Sequence, residues 1–277
     1  MPGLEQVEIF IDEDTLLQPL HWKRGRLIFP CSMTDWMADF VPDEFRDKML
    51  AVMGLTPQHT YLSLTKRADR QRRYFTDSDN RERRALAENF IPEGSTDNLV
   101  TMAAKRNDAI RRMETPTVIP NLWLGTSVEN PDYLHRLNDL ANTPAFLRWA
   151  SFEPLLADLG DIRKYLEWIG WAVGGFESGA KARPGNPQWG YNLRDQCVEM
   201  GVPFFWKQNG EFVRFGMCST AKELEDIGEQ PGRFVAGDYD EKLKSRWVYK
   251  RIGKKAAGRL LDGKEWSEYP KINEGIG

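Results

Sequence analysis

Six short apolar runs, each parted from the next by a stretch of helical period, constrain this chain more than any other feature. They are Arg26–Cys31 (RLIFPC), His59–Leu64 (HTYLSL), Asn121–Thr126 (NLWLGT), Phe146–Ser151 (FLRWAS), Trp168–Gly174 (WIGWAVG) and Pro203–Lys207 (PFFWK). Most are apolar at successive positions, the pattern of a strand covered on both faces, as parallel sheets are. Helix signals lie between them. Pro42-Asp43-Glu44 opens one with proline and acids in the first turn, and Phe45, Met49, Val52 and Met53 share a face. Pro131 opens another, carrying Tyr133, Leu134, Leu137, Leu140 and Ala141, and a third runs from about Trp189 to Met200 and stops at Gly201-Val202-Pro203. Repeated strand–helix units join parallel strands by right-handed crossovers. No glycine-rich phosphate loop follows the first run, which disfavours a doubly wound sheet. The expected fold is α/β: a partial (β/α) TIM-like barrel of about six or seven mostly parallel strands, with Val7–Ile11 (VEIFI) as the further strand.

Two regions break the rhythm. Residues 76–115 are densely charged and too long for a bare loop, so a helical insertion is expected there. From residue 210 the alternation gives way to short aromatic strands (EFVRFG, GRFVAG, RWVYKRIG) and a helix over KKAAGRLLDG. The expected organisation is a barrel over 1–209, insertion included, and a small hairpin and helix cap over 210–277. Ten tryptophans are read first as a large aromatic core.

Composition removes several classes of function. The 38 basic side chains stand against 41 acidic ones, a formal charge of −3, which excludes a strongly basic nucleic-acid coat. No basic stretch followed by an apolar run opens the chain, and no window is apolar enough to span a bilayer, so the expectation is a cytoplasmic protein with no membrane partner. Three scattered cysteines, Cys31, Cys197 and Cys218, give neither a disulfide framework nor a C-x-x-C metal motif. Three histidines, at 21, 59 and 135, make a multi-histidine metal site improbable, and no metal ligand is assigned. Neither a G-x-S-x-G elbow nor a Walker lysine loop is present.

Parallel α/β folds gather their chemistry where strands run into the following loops. Here those ends carry Asp35, then Thr65-Lys66-Arg67, Ser127 and Glu129, Glu153, Gly174-Gly175 and Glu177, and Lys207-Gln208. Strand ends are often polar for capping alone, and any one of these residues fits that plain role; six successive ends together point to a site. Glu153 precedes proline, which holds it extended, and partial burial would suit its carboxylate to acid–base work or to a ligand hydroxyl. Lys207 follows a very apolar run, where burial would make it reactive, although pairing with Glu153 or Glu177 is the plainer role. Glu153, Lys207 and Glu177 are therefore the catalytic candidates. Asp35, Thr65, Lys66, Arg67, Ser127, Glu129, Gly174, Gly175 and Gln208 are the ligand-binding candidates, the glycine pair because it lets a ligand approach the backbone. Arg67, Arg70, Arg72, Arg73, Arg81, Arg83 and Arg84 also form a local basic stretch able to meet phosphates.

The strings SMTDWMADFVPDEF, LTPQHTYLSLTKRADR, NLWLGTSVEN, ASFEPLL, GGFESGAKARP, LRDQC, GVPFFWKQNGE and GKKAAGRLLDGKEW resemble, in this order from about Leu16 to Pro270, an uncharacterised phage-associated protein family. Its members are similar to radical S-adenosylmethionine enzymes with a partial (β/α) barrel. The resemblance implies an N-terminal three-cysteine segment holding a [4Fe–4S] cluster whose open iron binds S-adenosylmethionine. This chain departs from that pattern. Set against that pattern, these residues are expected to start after the cysteine segment, Ala38 stands where a histidine is expected, and Phe176 is inserted between the glycine pair and Glu177. The resemblance thus implies a phage protein in the host cytoplasm, without a cluster of its own or with one supplied by a partner protein. The residues themselves leave two further readings open. One is a cluster-less barrel binding a nucleotide or single-stranded nucleic acid; the other is a non-redox lyase, isomerase or hydrolase using Glu153 and Lys207 as acid–base groups, whereas the radical S-adenosylmethionine-like reading takes a small molecule or a nucleic-acid component.

Overall fold

A computed structural model of the chain describes residues 10, 12–77, 118–230 and 232–271. Six strands form a sheet in the order β1 (Leu27–Ile28), β2 (Thr60–Thr65), β3 (Leu122–Ser127), β4 (Leu147–Phe152), β5 (Trp171–Gly174) and β6 (Phe204–Trp206). Parallel pairing links β1 with β2, β2 with β3, β4 with β5 and β5 with β6. Sequential order with parallel neighbours is the topology of a partial (β/α) barrel, as expected. The helices are α1 (Glu13–His21), α2 (Asp43–Leu55), α3 (Ala68–Thr76), α4 (His135–Ala141), α5 (Arg163–Leu166), α6 (Pro187–Glu199), α7 (Ala221–Gly228) and α8 (Lys254–Ala257). The expected strand at Val7–Ile11, apart from Phe10, and the helical insertion beyond Asp77 lie outside the described residues.

The expected strand starts are shifted for reasons that can be named. His59 and Asn121, expected to begin strands, instead serve as ties: Asn121 closes the end of α2, and His59 joins α1 to the entry of β1. Asn121 Nδ2 donates to the carbonyls of Met53, Thr56 and His59 at 2.9–3.0 Å, satisfying acceptors that a helix end leaves open. His59 is buried; its Nδ1 accepts from the Arg26 amide and its Nε2 meets the Pro19 carbonyl at 3.1 Å. β1 stops after two residues because Pro30 lacks an amide donor and Cys31 turns to φ 57°. Trp168 is exposed in the turn after α5 and is no part of β5. At Pro131 the chain makes a 3-10 turn to Tyr133, capped by the Asn130 side chain, before α4 begins.

The chain divides into two compact units, residues 1–126 with 139–148, and residues 127–138 with 149–277. In the first, α1 packs on α2 through Leu16, Leu17, Leu20, Val52 and Leu55. The loop from β1 to α2 is held by Arg46, whose side chain is 0% exposed. Its guanidinium donates to the carbonyls of Trp36, Ala38 and Val41 and pairs with Asp43. Burial lowers the Arg46 pKa, with Arg70 nearby acting in the same direction.

In the second unit α6 covers β5 and β6, and the Trp206 indole fills the seam between them. Its ring lies where a Cβ on Gly174 or Gly190 would fall, at 2.9 Å in both cases. Its Nε1 donates to Asn209 Oδ1 at 2.7 Å. Beyond β6 the chain forms an antiparallel sheet ordered β7 (Phe212–Cys218), β9 (Ser245–Arg251), β8 (Arg233–Asp240). The crossover from β7 to β8 contains α7, opened by a capping box between Thr220 and Glu223. The helix expected across KKAAGRLLDG is only the four residues of α8, because Gly258 takes φ 69° and ends it. The following segment then returns to the outer edge of β6. There the Trp206 amide donates to Trp266 O at 3.0 Å and the Glu268 amide to Phe204 O at 3.1 Å. Phe205 and Ser267 form an antiparallel bridge.

Candidate functional site at the strand ends

The strand-end residues of the first unit gather around Asp35. Its Oδ1 accepts from the Met37 amide at 2.9 Å and Thr65 Oγ1 at 2.7 Å, while Oδ2 accepts from the Lys66 amide at 2.9 Å and Arg67 Nη1 at 3.2 Å. Thr65 Oγ1 in turn accepts from the Arg67 amide at 2.9 Å. Four donors on one carboxylate make a clasp that fastens the β1–α2 loop to the end of β2. Asp35, Thr65 and Arg67 are thus brought together as expected, with much of their capacity spent on one another. Lys66 enters through its amide, with its side chain exposed.

The described arginines of the basic stretch are equally occupied. Arg67 pairs with Asp35, Arg70 with Asp39, Arg72 with Asp139 at 3.0 Å and Arg73 with Asp69 at 2.7 Å. Arg81, Arg83 and Arg84 lie outside the described residues. A run that reads as basic in sequence is charge-compensated in space, which removes the described part of the argument for phosphate binding there.

In the second unit the ladder of β4, β5 and β6 continues past the strands proper. The Gly175 amide donates to Phe152 O at 3.3 Å, the Lys207 amide to Gly174 O at 2.8 Å and the Phe176 amide to Gln208 O at 3.0 Å. These bonds set Glu153, Lys207 and Gln208 side by side. Glu153 Oε2 takes a charged bond from Lys207 Nζ at 2.8 Å, and Oε1 accepts from Gln208 Nε2 at 2.8 Å. The Gln208 Nε2 also donates to Phe176 O at 3.0 Å and reaches Ser178 Oγ at 3.3 Å. Gln208 is 5% exposed, and its buried Oε1 meets no donor among the described residues. Glu153 is 15% exposed and Lys207 53%. Lys207 is therefore not the desolvated amine that its apolar flank suggested: the flank packs in the sheet, while the stem carries the ammonium out to Glu153.

The remaining candidates have defined partners. Glu177 is held by Arg183, whose Nε and Nη2 donate to its two oxygens at 2.8 and 3.0 Å, with the Arg183 amide adding a third bond at 2.9 Å. The Arg183 bonds hold the Glu177 pKa below the usual carboxylate value. Glu177 accordingly serves as an anchor for the β5–α6 loop, not as a proton carrier near neutrality. Glu129 is buried and accepts from Arg136 Nη1 at 3.0 Å. That guanidinium also donates to Ser127 O at 2.9 Å and lies over the Tyr133 ring at 4.0 Å. The glycine pair does not open the backbone to a ligand: Gly174 is taken up by Trp206, and a Cβ on Gly175 would touch Gln208 at 3.4 Å.

Sequence reasoning missed Arg136 and Arg183, the cations that hold two of the carboxylates. Both signals were present, since Arg183 lies six residues after Glu177 and Arg136 seven after Glu129.

The cluster implied by the resemblance would ask for three thiolates. Cys197 lies on the packed face of α6, where burial, with Glu268 adding to it, pushes its thiol up to about 12. Cys218 is buried at the end of β7. Cys31 is partly exposed, and burial, then Asp35, raises its pKa. Among the described residues no group of three or more His, Cys, Asp or Glu is placed to hold a metal ion. These donors do not fit a [4Fe–4S] cluster.

The described residues include no helix long and apolar enough to cross a membrane. No curated protein and no solved structure matches the chain. A family model described as a protein of unknown function, DUF5131, matches residues 3–270.

Proposed function

The chain belongs to the DUF5131 family, and from that premise we propose that it is a cluster-less partial (β/α) barrel that binds a small polar ligand of the nucleoside or nucleotide class at the ends of β4 and β6. The observation that carries this reading is the Glu153 carboxylate, held between Lys207 Nζ and Gln208 Nε2 at 2.8 Å each. A carboxylate oxygen accepts more than one hydrogen bond, so a positioned carboxylate can still take ligand hydroxyls, while an exposed ammonium beside it suits a phosphate. The buried Gln208 Oε1 adds an acceptor at the same place. Glu153 and Gln208 follow β4 and β6 on either side of the β5 continuation, which is bonded to both by Gly175 N to Phe152 O and Phe176 N to Gln208 O, and this favours a preorganised binding centre.

Isothermal titration of the full chain against adenosine, AMP, ATP and S-adenosylmethionine tests this. At least one of these ligands is expected to bind, and Glu153→Gln, which keeps the shape and removes the charge, is expected to weaken it by about tenfold or more, the scale of a lost charged hydrogen bond. A Glu153→Gln protein that binds as the parent does, or a parent that binds none of them, overturns the assignment.

The kinship to phage-associated radical S-adenosylmethionine proteins belongs to this proposal as kinship of the barrel. Its support is the sequential parallel strand order. Anaerobic reconstitution with iron and sulfide, read by absorbance and by S-adenosylmethionine binding, distinguishes it. A cluster bound to this chain alone would overturn the cluster-less reading.

A further inference from the structure

The Glu153 centre is framed by segments whose cations its own hydrogen bonds do not use. The β5–α6 loop touches it through Ser178, whose Oγ is 3.3 Å from Gln208 Nε2, and the loop continues to Lys181. Three residues beyond Gln208 comes Glu211, whose carboxylate draws the surroundings together. Its Oε1 accepts from the Gly179 amide at 3.0 Å and its Oε2 from Arg251 Nη2 at 3.3 Å. The same guanidinium donates to the carbonyls of Gly179 and Ala180 at 2.7 and 2.9 Å. The Ile252 and Gly253 amides donate to Glu211 O at 3.0 and 3.1 Å, and Asn209 Nδ2 donates to the carbonyls of Ala257 and Leu260 at 3.0 Å each. Segments 177–183, 207–211 and 251–259 are thereby bound into one frame beside the binding centre.

That frame holds a surplus of positive charge. It carries seven Lys or Arg side chains against two carboxylates, and both carboxylates are taken, Glu177 by Arg183 and Glu211 by Arg251. The Gly179 amide, then Arg251, with the Lys254 amide acting the same way, hold the Glu211 pKa below the usual carboxylate value. Lys207 is spent on Glu153, and Arg259 donates to Trp266 O and Ser267 Oγ. Three cations are left over. Lys181, Lys254 and Lys255 are exposed, and none forms an ion pair among the described residues.

Resting on the nucleoside or nucleotide reading of the Glu153 centre, we propose that Lys181, Lys254 and Lys255 form a phosphate subsite beside it, so that the ligand is a nucleoside carrying a chain of phosphates. Lysine ammonium groups suit such a chain because they act as mobile point charges on phosphate oxygens, with no fixed fork to match. A carboxylate at the hydroxyl end and ammonium groups at the phosphate end give the ligand one orientation.

Isothermal titration of the full chain with inorganic tripolyphosphate, adenosine, AMP and ATP tests the subsite. Tripolyphosphate alone is expected to bind, and affinity is expected to rise from adenosine to ATP by about tenfold or more, the scale of a charged hydrogen bond. In Lys181→Ala/Lys254→Ala/Lys255→Ala the tripolyphosphate affinity and the ATP-to-adenosine ratio are both expected to fall by about that factor. Lys222→Ala/Lys242→Ala, which removes two exposed lysines elsewhere, is expected to keep both, and an equal loss there would overturn the subsite as mere charge attraction. A parent that binds adenosine and ATP equally, and tripolyphosphate not at all, overturns the subsite and leaves the Glu153 reading standing. Tripolyphosphate binding in a chain whose nucleoside binding ignores Glu153→Gln supports the subsite and overturns that reading instead. A short oligothymidylate that displaces tripolyphosphate more tightly than ATP does would assign the lysines to a nucleic-acid backbone and overturn the phosphate-chain ligand. Circular dichroism, expected unchanged in both variants because all five lysines are exposed, separates lost binding from lost fold.

Discussion

At the scale of single residues, Trp206 explains more of the second unit than any polar candidate does. Two glycines on different elements, Gly174 and Gly190, give up their side chains to its ring. The sequence marks Gly174 as unusual but not why: a glycine before a strand end reads equally as room for a ligand or room for an indole. Only the pairing of positions 174 and 206 in the parallel register decides it. Gly174→Ala would set a methyl group 2.9 Å from two ring carbons. Overpacking of this kind costs about 1–3 kcal/mol, more than the few tenths to about 1 kcal/mol that alanine gains by restricting the unfolded chain. The midpoint of denaturant unfolding is therefore expected to fall, with the summed tryptophan emission as the probe.

At the scale of elements, loops carry the ion pairs and strands carry the legible pattern. All six strands were visible within about three residues because doubly covered strands are written in consecutive apolar side chains. The loops were not, because their order depends on which cation meets which acceptor, and spacing does not reveal that: Arg46 on α2 for the β1–α2 loop, Arg183 within the β5–α6 loop itself. The same reasoning explains the candidate site. Strand-end position put Glu153, Lys207 and Gln208 on one rim, where hydrogen bonds join them, whereas the roles of Glu177 and Gly174 depended on partners that spacing does not reveal. The β5–α6 loop gives a prediction with a definite sign. The Glu177 pKa is depressed in the folded chain, so its pairing with Arg183 contributes above the unfolded carboxylate value of about 4.3 and is lost as pH falls through the folded value. Thermal stability measured from pH 6 downward is expected to fall less steeply in Glu177→Gln than in the parent, with the two curves converging at the acid end. Parallel curves across the range would mean that the pair contributes nothing to folding.

At the scale of the whole molecule, the three cysteines that looked scattered in sequence occupy three different environments: a strand-end turn, a packed helix face and the end of an antiparallel strand. Iodoacetamide at pH 8 is expected to label Cys31 in the native protein, and Cys197 and Cys218 only after unfolding, as peptide mass spectrometry would record. Native labelling of Cys197 would contradict its place in the packed face of α6. The bridge from Phe205 to Ser267 has a different consequence, one of order in time. The two residues are parted by on the order of sixty others, so joining them closes a loop at an entropic cost of roughly 3–4 kcal/mol, which nearer contacts do not carry. The edge of β6, with Phe204, Phe205 and Trp206 in a row, therefore stands open through most of folding and is sealed late. During that interval it is a template for the same edge on another molecule. The yield of soluble protein then depends on how long the chain waits for its own seal, a kinetic liability that the stability of the finished fold does not register.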